Sequence, residues 1–299
     1  MPEIRNVFAA TDFSPGADRA ARRAASVART IGGGLHLVHV LPPLDAFAQP
    51  CPGPIALDAE AMRARAANSL GDLAERISRQ FGIATERHLF HGRAHRAILE
   101  AIAKLEPDVA VLGARGEHDG VQPSQTVGDT ALQVAERSGI PTLLARREVQ
   151  EPYHHVVGCA KGVGSDRSVV QWSARMSPAD LFHVLSAYEV PYAARMSEWG
   201  ASPATVDAYA KRIHDQQEER LRRLLGEIGL PAARARLHVE RGEAAATILR
   251  NAAQWNADLL VVGRRPQVRS LTHSPFGSVA RQVAFLAPTD VMIVPPVAM

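Results

Sequence analysis

Two related segments decide the fold of this chain: Pro107–Gly116, which reads PDVAVLGARG, and Ala257–Pro266, which reads ADLLVVGRRP. Each has an aspartate at its second position, continues through an unbroken apolar run and then reaches a glycine. A short run that is apolar at every position is typical of a strand covered on both faces, as in a parallel sheet. Ligands of open α/β sheets bind beyond the carboxyl ends of the strands, where a glycine allows close approach. Each segment therefore predicts a core strand and one wall of a candidate site.

The spacing of these segments predicts that the chain is a duplication. Asp108 and Asp258 lie 150 residues apart, and 299 residues are enough for two ordinary domains. We place the domains at residues 1–147 and 152–296, joined by a short linker. Strands alternate with helices in both halves, which favours a parallel sheet with right-handed crossovers in each.

The pattern of apolar runs predicts five strands in each half. In the first half they begin near Asn6, Leu35, Thr85, Asp108 and Ile140, and in the second half near His155, Leu181, Arg236, Asp258 and Asp290. Ser165 is predicted to cap the helix that follows it. Residues 189–205 are predicted to form a loop rich in aromatic residues.

Composition and charge exclude several classes of protein. The formal charge is only +3, without a dense Lys/Arg block, so we expect no nucleic-acid partner. The first residues lack the pattern of a signal peptide, and no apolar run approaches the roughly 20 residues that cross a bilayer. Cys51 and Cys159 lie at non-equivalent places and predict no disulfide framework. We expect a cytoplasmic protein with no membrane partner.

The sequence offers no recognisable catalytic or metal motif. The twelve histidines show no HExxH or Cys–His spacing. His88, His91 and His95 fall close together, while His36 and His39 lie on opposite faces of one strand and cannot share a metal there. No P-loop Lys-Ser/Thr and no nucleophile with an orienting base is visible. We therefore predict no metal ligands, no catalytic residues and no enzymatic activity.

Several motifs together resemble the universal stress proteins. They are Val7–Ser14 (VFAATDFS), Leu35–Val40 (LHLVHV), Gly113-x-x-Gly116 before Gly128, Gly277–Ala280 (GSVA) and Asp290–Pro296 (DVMIVPP). The resemblance spans nearly the whole chain in two copies, as in a tandem member of the family. It implies an α/β, Rossmann-like fold of the adenine-nucleotide α-hydrolase type, with a five-stranded parallel sheet flanked by helices in each half. It also implies that the halves pack as an internal pseudo-dimer through their edge strands.

The resemblance also implies an ATP-type site in each half. In the first half, Asp12 and Val40 would hold the nucleoside, and Gly113, Gly116 and Gly128 would cradle the phosphates. In the second half, the matching residues on the phosphate side are Gly263, Gly277, Ser278 and Val279. The physical basis is plain, because glycines let backbone N–H groups reach phosphate oxygens and a helix amino terminus attracts an anion.

Neither copy keeps the whole pattern. In the first half, eleven residues rather than nine separate the second and third glycines, and Asp129 stands where a hydroxyl is expected. An acid there repels phosphate, by roughly 4 kcal/mol at 4 Å and an effective dielectric near 20. In the second half, Pro266 replaces a glycine, Lys161 stands in place of Asp12 and Ala187 in place of Val40.

These observations lead to one main hypothesis and two alternatives. The main hypothesis is a cytoplasmic stress-response module, regulatory or protective, with at most one weakened ATP-type site that takes Mg²⁺ only with the nucleotide. The first alternative is a ligand-free interaction scaffold in which both sites are relics. The second is a slow ATPase. We expect protein partners or self-association through edge strands.

Overall fold

The computed structural model describes residues 4–43, 58–114, 127–149, 152–161, 165–177, 181–264 and 277–296. The chain divides into two compact units, Met1–Pro152 and Tyr153–Met299. Gly116 and Pro266 lie outside the described residues, so the predictions about them stay predictions. The predicted pairing of the two halves through their edge strands also stays a prediction.

The first unit alternates strands with helices. Its described elements are β1 (Asn6–Thr11), α1 (Pro15–Ile31), β2 (Gly34–Leu41), α2 (Ala59–Phe81), β3 (Thr85–His91), α3 (Ala94–Leu105), β4 (Val109–Gly113), α4 (Asp129–Arg137) and β5 (Thr142–Ala145). The strands lie in the order β3-β2-β1-β4-β5, and all neighbours pair in parallel.

The second unit repeats this arrangement. Its described elements are β6 (Val156–Cys159), α5 (Asp166–Met176), β7 (Phe182–Tyr188), α6 (Ala193–Glu198), α7 (Pro203–Ile228), a short 3-10 helix (Ala232–Arg234), β8 (Ala235–Arg241), α8 (Ala244–Gln254), β9 (Leu259–Gly263), α9 (Ser278–Leu286) and β10 (Asp290–Val294). The strands lie in the order β8-β7-β6-β9-β10, again in parallel.

The two segments that predicted the fold form the strands β4 and β9. In both strands the first four residues are buried and the terminal glycine is half-buried. The predicted α/β class, with a five-stranded parallel sheet and flanking helices in each half, is confirmed. Full burial explains why these strands are apolar at every position, since helices cover both faces of a parallel sheet.

The structure corrects the predicted loop at residues 189–205. The short helix α6 lies within it, and α7 begins at Pro203 with Ser202 as its cap. The Ser202 side chain accepts a hydrogen bond from the backbone N–H of Thr205 at 3.2 Å. A serine before a proline at the first helical position is a strong start signal, which the aromatic content of the segment obscured. Within the part of the chain that the structure describes, every helix is too short or too polar to span a lipid bilayer.

The aspartate at the start of each decisive segment has the same structural task in both units. Asp108 Oδ2 accepts the backbone N–H groups of Arg5 and Asn6 at 2.8 and 3.0 Å. The Asp258 carboxylate accepts those of His154 and His155 at 2.7 and 3.0 Å. Each carboxylate therefore fixes the start of the strand next to it, β1 or β6.

We expect Asp108→Ala and Asp258→Ala each to lower the free energy of unfolding of their own unit by about 1–2 kcal/mol, because two charge-assisted hydrogen bonds are lost. Urea denaturation followed by tryptophan fluorescence and far-UV circular dichroism measures this. All three tryptophans lie in the second unit, so their transition should move with Asp258→Ala alone. The exposed Asp72 on α2 provides the control Asp72→Ala. Equal stability of all three variants and the parent protein would contradict the role assigned to the two aspartates.

Candidate functional site

Each unit has one place where a ligand of an open α/β sheet is expected. The strand order reverses between β1 and β4 in the first unit, and between β6 and β9 in the second. Ligands bind beyond the carboxyl ends of the strands at such a reversal. We call the residues at these strand ends the first site and the second site.

At the first site, Asp12 lies in a tight turn after β1. Its Oδ1 atom accepts the backbone N–H of Ser14 at 3.0 Å, and Thr11 Oγ1 accepts that of Phe13 at 3.0 Å. The Asp12 side chain is exposed, and an ionised carboxylate has further acceptor positions. Asp12 is therefore both a structural part of the turn and able to accept a hydrogen bond from a ligand hydroxyl.

An aromatic pair beside Asp12 was missed by the sequence reasoning. Phe13 has a φ of 64°, and its ring centroid lies 4.4 Å from that of His39. His39 Nδ1 donates to the Thr11 carbonyl oxygen at 2.7 Å, which fixes the imidazole. The predicted nucleoside residue Val40 follows His39 and is half-buried. The left-handed backbone of Phe13, which few non-glycine residues adopt, is visible only in the structure, so the sequence carries no direct signal for this pair.

Gly113 at the end of β4 is required by packing. A Cβ atom at this position would lie 2.9 Å from the carbonyl oxygen and 3.0 Å from the carbonyl carbon of Gly16. The start of α1 therefore crosses the end of β4 at a distance that only glycine allows. The glycine is needed whether or not a ligand binds.

The phosphate side of the first site starts at Gly128 and α4. Gly128 has φ −64° and ψ 146°, a conformation open to any residue, and its N–H donates to the Ala114 carbonyl at 2.8 Å. Asp129, the first residue of α4, is exposed. Its carboxylate stabilises the amino end of the helix and would repel a phosphate bound there.

Strand register fixes the matching residues of the second site. Val7 pairs with Val109 in the first unit, and Val156 pairs with Leu259 in the second. Counting along β1 and β6 from these pairs places Lys161 at the position of Asp12. The same comparison along β2 and β7 places Ala187 at the position of Val40. The second site therefore has an ammonium group where the first has a carboxylate.

The second site is a cavity of about 70 Å³. Its lining includes Lys161 after β6, the buried Arg264 after β9 and the start of α9 from Gly277 to Ala280. Its size accommodates several water molecules or a phosphate group. Two cationic residues thus line a cleft at the switch point of the sheet.

The start of α9 offers backbone donors to this cavity. Gly277 has φ 59° and ψ 143°, which favours glycine, and as the N-cap residue it has no side chain with which to cap the helix. The first N–H groups of a helix have no partner within the helix. Ser278 and Val279, predicted as phosphate-binding residues, line the cavity at this end. The arrangement is suited to an anion.

Gly263, like Gly113, is required by packing. A Cβ atom at Gly263 would lie 2.0 Å from Ser165 Oγ and 2.7 Å from Ser165 Cβ. Ser165 is the N-cap residue of α5, as predicted, but its side chain makes no capping hydrogen bond and its backbone is helical, with φ −93° and ψ −7°. The side chain lies against the end of β9 instead.

The remaining reactive groups of the second site are engaged or inert. Asp166 is buried; Lys161 N–H donates to its Oδ1 at 3.0 Å, and the Arg220 guanidinium donates to its Oδ2 at 3.3 Å. Desolvation raises the pKa of the Cys159 thiol to about 12, so the thiolate is scarce at neutral pH.

Comparison with known proteins agrees with this architecture. The model of the universal stress protein family matches residues 3–146 and again residues 152–295. A putative universal stress protein from Pseudomonas aeruginosa UCBPP-PA14 is similar in structure, with 18% identity, a TM-score of 0.65, and coverage of 98% of this chain and 94% of that chain. A universal stress protein from Archaeoglobus fulgidus DSM 4304 is similar with 16% identity, a TM-score of 0.67 and coverage of 97% and 98%.

A solved universal stress protein in complex with cAMP matches 48% of this chain and 98% of its own, at 22% identity and a TM-score of 0.38. No curated protein matches the chain. The family match covers almost the whole sequence in two copies, in agreement with the repeated strand order of the two units. This chain therefore belongs to the universal stress protein family, as a tandem member with two family domains.

Proposed function

We propose that this protein is a cytoplasmic stress-response module that binds an adenine nucleotide through its phosphates at the second site, with Mg²⁺ only alongside the nucleotide. One observation carries the proposal: Lys161, the buried Arg264 and the amino end of α9, whose N-cap is Gly277, line one cavity at the switch point. Family membership supports the stress-response role.

The size of the cavity limits what it holds. Pockets for complete small molecules measure about 300–1,000 Å³, whereas this cavity measures about 70 Å³. It suits the phosphate end of a ligand, with the nucleoside outside it. Since Lys161 and Ala187 replace the nucleoside-binding residues expected from the first site, we propose weak binding, with a Kd on the order of 100 µM, about −5.5 kcal/mol.

We propose that the second site binds without catalysing a reaction. Among its described residues, the Asp166 carboxylate is occupied by Lys161 N–H and by Arg220, so it is not directed at a substrate as a general base. The high pKa of Cys159 makes its thiol a poor nucleophile. A regulatory or protective module needs only occupancy of the site.

Titration of the full chain with ATP and Mg²⁺ by isothermal titration calorimetry tests this proposal. We expect Lys161→Ala to weaken binding about tenfold, because one charged contact to phosphate is worth about 1.5 kcal/mol or more. Lys211→Ala is the matched control, since Lys211 is exposed on α7 and does not line the cavity. Asp12→Ala reports on the first site.

Two outcomes would contradict the proposal. Binding that survives Lys161→Ala and disappears with Asp12→Ala would move the nucleotide to the first site. No heat at a protein concentration near 100 µM would favour the scaffold alternative. The packing roles of Gly113 and Gly263 are the observations in favour of that alternative, because they account for two glycines without a ligand. A scaffold would act through protein partners or self-association along edge strands.

A further inference from the structure

Each unit contains a histidine pair that joins its second and third strands. His36 Nδ1 lies 3.1 Å from His88 Nε2 in the first unit, and His183 Nδ1 lies 3.0 Å from His238 Nε2 in the second. The pairs occupy equivalent positions, because His36 pairs with Phe8 of β1 and His183 with Val157 of β6. The duplication therefore includes a feature outside both candidate sites.

The two pairs differ in the residue beside them. In the first unit, Glu86 is the strand neighbour of His36, and its Oε2 lies 3.4 Å from His36 Nδ1 and 3.7 Å from His88 Nε2. In the second unit, Arg236 occupies the place of Glu86 opposite His183. A carboxylate is a metal ligand and a guanidinium is not, so the units are chemically different at this point.

The spacing of the three atoms in the first unit matches tetrahedral coordination. Bonds of about 2.0–2.2 Å from zinc to nitrogen or oxygen place tetrahedral ligand atoms about 3.3–3.6 Å apart. The observed separations are 3.1, 3.4 and 3.7 Å. An ion slightly above the plane of this triangle would lie about 2 Å from each of the three atoms, with the fourth tetrahedral position on its open side.

We propose that His36, Glu86 and His88 bind a divalent transition-metal ion of the zinc class, one per chain. Two imidazoles and one carboxylate form an established ligand set, which leaves a fourth position for water. The Glu86 side chain is 69% exposed, so the site has an entry path from solvent, while the His36 side chain is 12% exposed and held in place by the sheet.

The protonation of the pair is compatible with this role. The hydrogen bond between His36 and His88 uses one imidazole proton. When an ion takes its place, the donor imidazole changes tautomer and carries that proton on its other ring nitrogen. Burial lowers the pKa of His88, as do the neighbouring His36 and Lys104, while Glu86 opposes them. This direction favours the neutral imidazole of His88, which is the form that binds a metal ion.

The second unit shows what the pair does without a carboxylate. The rings of His183 and His238 are stacked with an interplanar angle of 6°, and the Trp255 ring lies 4.7 and 4.3 Å from them. Burial lowers the pKa of His183, and His238 and Arg236 lower it further. This pair is a packed structural unit, so it serves as an internal comparison for the pair in the first unit.

Zinc titration of the full chain, stripped with a chelator, tests the proposal. We expect one Zn²⁺ per chain by calorimetry and elemental analysis. We also expect the visible absorption bands of tetrahedral Co²⁺ when cobalt replaces zinc. Substitution of residues that only contact the ligands of a metal lowers the metal affinity about 10–100-fold. His88→Ala removes a ligand itself, so it should lower the Zn²⁺ affinity at least about 100-fold.

Two further variants complete the test. Glu86→Gln removes the charge at an exposed position, so it should weaken Zn²⁺ binding at least about tenfold without changing the far-UV circular dichroism. His238→Ala is the matched control and should leave the affinity unchanged. Absence of Zn²⁺ binding would overturn the proposal. So would a site that keeps its affinity in both His88→Ala and Glu86→Gln, because the ion would then lie on other histidines.

Discussion

Replacement of Gly113 by alanine should destabilise the first unit by about 3 kcal/mol, at the upper end of the range for overpacking. The added Cβ would lie 2.9 and 3.0 Å from carbonyl atoms of Gly16 and 3.3 Å from the Ala17 nitrogen. All three atoms are backbone, so no rotamer change can relieve the contact. Since α1 and β4 both belong to the core of the unit, their separation would disturb the whole sheet.

Gly263→Ala is the matched change in the second unit, but here a second substitution can relieve the steric clash. The obstruction there comes from Ser165 Oγ and Cβ, at 2.0 and 2.7 Å. The double variant Gly263→Ala/Ser165→Gly should therefore recover most of the stability that Gly263→Ala loses. No such rescue exists for Gly113→Ala, because its neighbour is already a glycine.

The two units can be followed separately, because all tryptophans and tyrosines of the chain lie after residue 152. A loss of 3 kcal/mol in a unit of this size lowers its melting temperature by about 6–12 °C. Gly113→Ala should shift the circular-dichroism transition of the first unit and leave the tryptophan transition in place, whereas Gly263→Ala should shift the tryptophan transition. If Gly113→Ala melted like the parent and lost only ATP binding, the glycine would be a ligand residue and its assigned packing role would be wrong.

The fold was predictable because its strands are buried on both faces. The runs that became β4 and β9 are apolar at every position, and a run so short and without a polar residue is typical of a strand that helices cover on both sides. The side chains that cap helices were harder to predict from the sequence. Ser165 has the residue type of a cap and the position of one, yet the packing of α5 on β9 directs its side chain elsewhere.

The candidate site was less predictable, because glycine has two uses that look alike in sequence. Gly113 and Gly263 pack against helices, while Gly277 adopts the positive φ that makes it necessary at the start of α9. The histidine pair was missed for a different reason. His36 and His88 lie 52 residues apart and meet only through the register of β2 and β3, whereas the sequence drew attention to His88, His91 and His95.

The proposed anion site depends most directly on the first residue of α9. Ser278→Asp places a carboxylate at the start of this helix, where we propose that the phosphates bind. Repulsion between unit charges at 4 Å is worth about 1 kcal/mol in water and about 4 kcal/mol near a protein surface. We therefore expect a loss of affinity for ATP of at least about tenfold.

Removal of the acid at the start of α4 should have the opposite effect. Asp129→Ser removes a negative charge from the phosphate side of the first site, so it should strengthen ATP binding there about tenfold. Equilibrium dialysis in a Lys161→Ala background measures this.

Asparagine at each position separates charge from size. Ser278→Asn adds a side chain of the same shape as aspartate without its charge, so it should retain most of the affinity, and Asp129→Asn should gain nearly as much as Asp129→Ser. Unfolding cannot imitate the loss in Ser278→Asp, because an acid in the first turn stabilises a helix by about 0.3–1 kcal/mol. Equal losses in Ser278→Asp and Ser278→Asn would mean that shape rather than charge controls the cavity. An unchanged affinity in both would mean that the phosphates do not lie at α9.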